Sequence, residues 1–232
     1  MNRQNPLFVL LFALTVAALS AGTAARCACA LEAALATPVM GARGMVVTGQ
    51  DLATRAGLAV LEKGGNAVDA AVTAAFVMAV TLPRAGNIGG GGFMLIRSAG
   101  TGEVTALDFW QKAPAKATRD MFLGPDGKAD SKLSRLSYLS VAVPGTVAGL
   151  AMALKDHGTL TLAEAMAPAI RIADEGFVVN EKFAADIRAY ESILKARPAT
   201  AKIFFKPGGG FYEAGDRFVQ KDSGPAVPEH DR

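Results

Sequence analysis

Cysteine is nearly missing from this chain: there are two in 232 residues, Cys27 and Cys29, both close to the N-terminus. A structural zinc site needs four ligands at short spacing, and no further ligands accompany this pair. The two lie in a leader-like stretch, so the rest of the chain has neither a disulfide nor a thiol nucleophile. Histidine is equally scarce. His157 and His230 are the only two, and neither sits in a serine–histidine–aspartate arrangement or a metal-binding pair. Tryptophan occurs once, at Trp110. No block of like charge exists, and the net charge is only +3, which gives nucleic-acid binding no support. No apolar run approaches the ~20 residues of a membrane span. With 51% hydrophobic and 19% charged residues, the chain is apolar enough to bury a core.

The longest apolar run, Leu7–Leu19, follows Arg3 and precedes the small residues Ser20, Ala21, Gly22, Thr23, Ala24 and Ala25. Leading charge, short apolar run and small-residue exit are the pattern of an export signal. Cleavage is expected after Ala25, or after Ala36 in Ala34–Leu35–Ala36. Residues 1–36 are therefore assigned to a signal peptide and leader, and the mature chain to the periplasm or the exterior. Arg26 in front of Cys27 argues against a lipid-anchored cysteine.

Met45–Val47 is short and apolar, the pattern of a buried strand. Apolar residues at helical spacing predict a helix over Ala53–Lys63, stopped by Gly64–Gly65. Asn66 caps a second helix, Ala67–Val80, which is apolar almost all round and so predicts burial on every side. Pro83 ends it. After the glycine run 89–92, Phe93–Arg97 and Val104–Trp110 alternate as the two strands of a hairpin. On the second strand Val104, Ala106, Asp108 and Trp110 face one way, and Thr105, Leu107 and Phe109 the other. A third helix opens at Gly145–Thr146 and ends before Gly158. Thr161 and Glu164 form a capping-box pattern for a fourth, in which Pro168 predicts a kink or restart. Asn180 caps a fifth, amphipathic helix that ends before Pro198. Helices beside antiparallel strands predict a layered α+β fold.

Four consecutive glycines, Gly89–Gly92, first suggest a phosphate cradle. That chemistry needs the order strand, glycine loop, helix; here the order is helix, glycines, strand, and no Lys-Ser or Lys-Thr follows. The better reading is close approach of another backbone segment or a substrate to the main chain. Asp126, Gly127 and Asp130 form a plain turn, since the spacing of a calcium loop fails. No serine or threonine occupies a nucleophile elbow. No cofactor and no metal is expected.

Five ordered blocks resemble the γ-glutamyltransferase family. They are Gly64–Ala71 (GGNAVDAA), Gly86–Phe93 (GNIGGGGF), Ala113–Thr118 with Met121–Phe122, Val143–Gly149 (VPGTVAG) and Asp174–Asn180 (DEGFVVN). The resemblance covers roughly Gly44–Lys221, within a family-like region placed at 37–221. It implies part of an N-terminal-nucleophile hydrolase fold, with antiparallel sheets between helical layers (αββα). It also implies a large-subunit portion whose partner is a small subunit bearing the nucleophilic N-terminal threonine. The substrate class implied is a γ-glutamyl peptide such as glutathione, cleaved by acyl transfer or hydrolysis. The family's threonine-rich processing motif, threonines followed by histidine, occurs nowhere in the 232 residues, so no catalytic residue is assigned and this chain alone is expected to be inactive.

Two departures stand out. The family's glutamyl-binding arginine normally follows an Asp-Phe or similar pair at the end of the second hairpin strand; here Asp108–Phe109 is followed by Trp110. A guanidinium clamps a carboxylate with two bonds and an indole cannot. Trp110 is therefore the candidate substrate-binding residue, either favouring a less charged acyl group, as in an acylase, or simply packing. The stretch 222–232, with Pro225 and Pro228, resembles no family block and reads as a foreign tail. A subunit of an acylase with altered specificity and a non-enzymatic exported binding protein are the alternative functions.

Overall fold

The computed structural model describes residues 40–221, and the compact unit discussed below begins at Met45. Residues 1–39 with Cys27 and Cys29, on which the leader is expected, and 222–232 with His230, on which the tail is expected, lie outside the described residues. Among the described residues no helix is long and apolar enough to cross a membrane.

Helix α1 (Asp51–Glu62) and helix α2 (Ala67–Thr81) form an antiparallel pair joined by Gly64–Gly65. Gly64 adopts φ +92°, which turns the chain out of α1. Asn66 then caps α2 by accepting from Val68 N and Asp69 N, while Asp69 accepts from Asn66 N, a reciprocal capping box. Helix α2 is the centre of the fold. It packs against α1, helix α4 (Thr146–His157) and helix α5 (Leu162–Glu175). Val68, Val72, Ala74, Phe76 and Val77 of α2 are buried in one cluster with Leu150, Ala153, Leu154, Ala165 and Ala169. The expectation of burial all round holds for most of α2, with Ala71 exposed.

The Asp69 carboxylate is the polar pin of this packing. It is fully buried (0% exposed) and accepts four bonds: from Asn66 N (2.8 Å), Thr159 N (2.8 Å), Thr159 Oγ1 (2.7 Å) and Leu160 N (3.0 Å). Gly158 lets the α4–α5 turn close over it, for a Cβ there would lie 2.8 Å from Asp69 Oδ1. Asn66 Nδ2 adds a bond to the His157 carbonyl (2.7 Å).

Strands β1 (Phe93–Arg97) and β2 (Val104–Asp108) form the expected antiparallel hairpin, paired from Phe93↔Asp108 to Arg97↔Val104. Met94, Ile96, Leu107 and Phe109 turn toward the α2 cluster. The regular strand ends at Asp108 rather than Trp110. A short helix α3 (Ser131–Leu136), capped by Asp130, lies in the long connection to α4.

Strands β3 (Phe177–Val178) and β4 (Arg217–Phe218) pair antiparallel. They sit with helices α6 (Glu181–Ala189), α7 (Glu191–Lys195) and α8 (Pro198–Phe204) around a second apolar cluster. Phe218 is its hub, with Phe177, Phe183, Phe204 and Tyr212 rings 5.0–5.7 Å from its own. The chain enters β3 through Gly176 at φ +77°, where a Cβ would stand 2.6 Å from the Phe218 carbonyl oxygen. The arrangement is a mixed α+β fold.

Three expectations are corrected or narrowed. Met45–Val47 is not a buried strand: no strand pairs with it among the described residues, Met45 is 51% and Val47 81% exposed, and only Val46 turns inward, against Gly57. Of the two outcomes expected at Pro168, a restart is absent: α5 runs through it as one helix, opened by the Thr161–Glu164 capping box and buried along one face at Ala165, Ala169 and Ala173. The fifth helix, capped by Asn180, ends before Pro198 as expected, but already at Ala189, and the short α7 follows it after Tyr190. Pro198 occupies the first turn of α8, where its missing N–H costs nothing.

Replacing Asp69 with alanine leaves four part-buried donors without their acceptor, at roughly 1–3 kcal/mol for each that finds no water. A loss of about 3 kcal/mol in the stability of the 232-residue chain is expected, read from urea midpoints. Acid acts on the same group. Burial opposes ionisation of Asp69, but the bonds from Leu160, Asn66 and Thr159 outweigh it and hold the carboxyl below its ordinary value. Its contribution is therefore complete above the unfolded carboxyl value, ~3.9, and disappears as pH falls toward the lower folded one. Urea midpoints of the wild type are expected to fall below about pH 4, and those of Asp69→Ala to fall less.

Candidate functional site

Three separated stretches meet at the end of β2. Gly92 N donates to the Phe109 carbonyl (3.4 Å) and Phe109 N to the Gly92 carbonyl (3.0 Å), which extends the hairpin ladder by one pair. Next to it, Gly91 lies flat against the backbone of residues 109–111: a Cβ there would stand 2.4 Å from Gln111 N and 2.5 Å from Phe109 O. From the third stretch, a Cβ on Gly145 would be 2.2 Å from Phe109 O, and one on Gly149 2.1 Å from Phe109 Cγ. The Gly90 carbonyl accepts from Gly145 N (2.8 Å) and Thr146 N (3.1 Å), tying the glycine loop to the start of α4. Lys112 and Val143 exchange both backbone bonds just beyond.

The glycine run is therefore a seat for the main chain of Phe109–Gln111, and the close-approach reading of Gly89–Gly92 resolves to another backbone segment. A side chain at Gly91, Gly145 or Gly149 would push this segment outward. Phe109 is turned into the core and Trp110 is turned out, the alternation that the sequence implies. Trp110 is 51% exposed and stacks on Phe93, 66% exposed, with ring centroids 5.4 Å apart and 13° between planes. Trp110 N donates to Asp108 Oδ1 (3.0 Å), bracing the turn of the chain there. So Trp110 does not pack into either apolar cluster.

Phe93 escaped the sequence reading, although the register Phe93↔Asp108 and the period of two along β2 put it on the Trp110 face. Gln111 Oε1 is buried with no hydrogen-bond partner among the described residues, and nothing in the sequence singled it out. His157 lies in the last turn of α4 as expected, away from the hairpin, and contributes its carbonyl to Asn66. Asp126 and Asp130 bind backbone N–H groups of their own turn and of α3. Among the described residues no group of three His, Cys, Asp or Glu is placed to hold a metal ion.

Residues 53–225 match the family model described as gamma-glutamyltranspeptidase, and the chain belongs to that family. It matches the family's N-terminal portion. It is 48% identical over 183 residues to the glutathione hydrolase proenzyme of Escherichia coli K12, an alignment covering 79% of this chain and 31% of that protein. It is 39% identical over 191 residues to the acylase ACY 1 proenzyme of Pseudomonas sp. V22, covering 80% of this chain and 34% of that one. The structure superposes on Helicobacter pylori gamma-glutamyltranspeptidase with a TM-score of 0.77 at 45% identity, covering 80% of this chain and 53% of that chain. The chain thus spans about a third of the length of these curated relatives.

Gly149→Ala places a methyl inside the Phe109 ring position, and overpacking of this kind costs ~1–3 kcal/mol. Gly100→Ala, with nothing within 4 Å of its Cβ, is the matched control and is expected to be neutral. Because Trp110 is the sole tryptophan, its emission reports the seat directly. Gly149→Ala is expected to shift that emission and Gly100→Ala to leave it unchanged.

Proposed function

We propose that this chain is the large-subunit portion of an exported enzyme of the γ-glutamyltransferase or glutathione hydrolase type, with the αββα layering of an N-terminal-nucleophile hydrolase. Completed by a small subunit that carries an N-terminal threonine, it transfers or hydrolyses an amide-linked acyl group. The observation that carries the reading is the seat of Phe109–Gln111. Two of the family-like blocks, Gly86–Phe93 and Val143–Gly149, converge there and fix the residue that follows β2. The similarity to a glutathione hydrolase proenzyme supports the γ-glutamyl substrate class. The export pattern at residues 1–36 supports a periplasmic or secreted location.

In this reading the threonine nucleophile and its amine come from outside the 232 residues, which carry no threonine-histidine processing motif. The chain supplies the rigid acyl-side wall and positions Trp110, the substrate-binding residue, at the family's arginine position. A second reading has a specific observation behind it. Trp110 stacks on Phe93, and the cation–π contacts among the described residues lie elsewhere, on Phe205, Phe211, Tyr138 and Tyr212. An indole offers a carboxylate no paired donors, so the acyl group favoured is less charged than glutamyl. The similarity to an acylase proenzyme supports this variant.

The purified 232-residue chain is expected to release no p-nitroaniline from γ-glutamyl-p-nitroanilide, and turnover by it alone would overturn the assignment. Co-expressed with a threonine-bearing small subunit, it is expected to cleave anilides. There, Trp110→Arg restores a carboxylate clamp, and such a partner is worth ~2–5 kcal/mol. The ratio of kcat/KM for γ-glutamyl over phenylacetyl anilide should then rise by about 30-fold or more. An unchanged ratio would remove Trp110 from the acyl site.

A further inference from the structure

A cleft of about 330 Å³ opens at the C-terminal end of α2, the end opposite the Asp69 pin, between the Leu82–Arg84 bend and helices α6 to α8. It lies apart from Trp110 and shares no residue with the glycine seat. Its floor is apolar, made by Leu82, Ile187, Leu194 and Phe204, and Ile187 is almost fully buried. Its mouth is charged. Arg84 Nη1 meets Asp186 Oδ1 at 2.8 Å and Lys182 Nζ meets Asp186 Oδ2 at 3.6 Å. Two cations therefore share one carboxylate, and the mouth carries a surplus positive charge. Of the Arg84 guanidinium only Nη1 is engaged by an acceptor among the described residues, and half of that side chain is exposed.

We propose that this cleft binds a small apolar carboxylic acid, its hydrocarbon on the floor and its carboxylate on Arg84 and Lys182. The chemistry selects this class against its neighbours. A cationic ligand would meet the surplus positive charge. A neutral hydrocarbon would cover the mouth and strip water from Arg84 without replacing its bonds. A dianion such as phosphate would face the Asp186 carboxylate and leave the apolar floor empty. A monocarboxylate supplies one acceptor group to the free face of the guanidinium, the geometry that fork favours. The volume sits at the small end of ligand sites, ~300–1,000 Å³, enough for roughly a bicyclic ring with a short acidic arm.

Calorimetric titration of the 232-residue chain with 1-naphthaleneacetate and with its neutral counterpart 1-naphthaleneacetamide tests this. The acid is expected to bind about 10-fold more tightly than the amide, the gain of one charge-assisted contact. Arg84→Gln is expected to reduce that preference by about 5-fold or more while leaving amide binding unchanged. Lys182→Gln, at a more exposed cation, is expected to reduce it by about 2-fold. Circular dichroism establishes that each variant is folded, and the Lys182 variant keeps the question open to decision if Arg84→Gln is not. Absence of acid binding by the folded wild type, equal affinity for acid and amide, or a preference untouched in both variants would each overturn the proposal.

Discussion

One buried carboxylate decides how the helical part of this molecule is assembled. Asp69 accepts three of its four bonds from the turn between α4 and α5, some ninety residues away in sequence. An ion placed at zero exposure among apolar side chains is tolerated only when its oxygens are filled. Here they are filled by backbone and hydroxyl donors that exist in that arrangement only if the turn sits over the first turn of α2. The requirement fixes the axial position of α2 against α4 and α5. It thereby sets where α4 begins, and α4 begins with the glycines that seat Phe109. The pin and the candidate site are thus joined through one helix.

The seat is a different kind of constraint, steric rather than electrostatic. It works because side chains are missing at Gly91, Gly145 and Gly149, so three backbones pass at distances that a single methyl would forbid. Their contact leaves little freedom for the residue that follows. Trp110 is consequently presented by a rigid support, although its own ring is out in the open against Phe93. In the role proposed for Trp110, an exposed side chain on a closely packed backbone is what positioning a substrate group needs.

Much of this was legible from the sequence, because strong local signals agreed with the tertiary outcome. The capping residues Asn66, Thr161 and Asn180 mark real helix starts. The period of two along Val104–Trp110 sorts its faces correctly, and the helix–glycine–strand order is the one the chain adopts. What was not legible depends on partners distant in sequence. Met45–Val47 has strand composition, yet composition supplies no neighbour to pair with. The β3–β4 pair is two residues long on each side and is held by the rings around Phe218, which no local pattern announces. Asp69 was visible only as a polar interruption in an apolar helix; its bonds to Thr159 and Leu160 needed the fold. Phe93 needed the hairpin register before it could be joined to Trp110.

Phe218 also has a consequence for the order of events during synthesis. The ring that centres the second cluster is carried by a strand that leaves the ribosome about forty residues after its partner Phe177. Phe177, Phe183 and Phe204 all lean on that one ring, so the second cluster cannot be completed before residue 218 is made. The α1–α2 pair, whose contacts are local, can form while this region is still open. The second core thus depends on contacts far apart in sequence, whereas the α1–α2 pair depends on near ones.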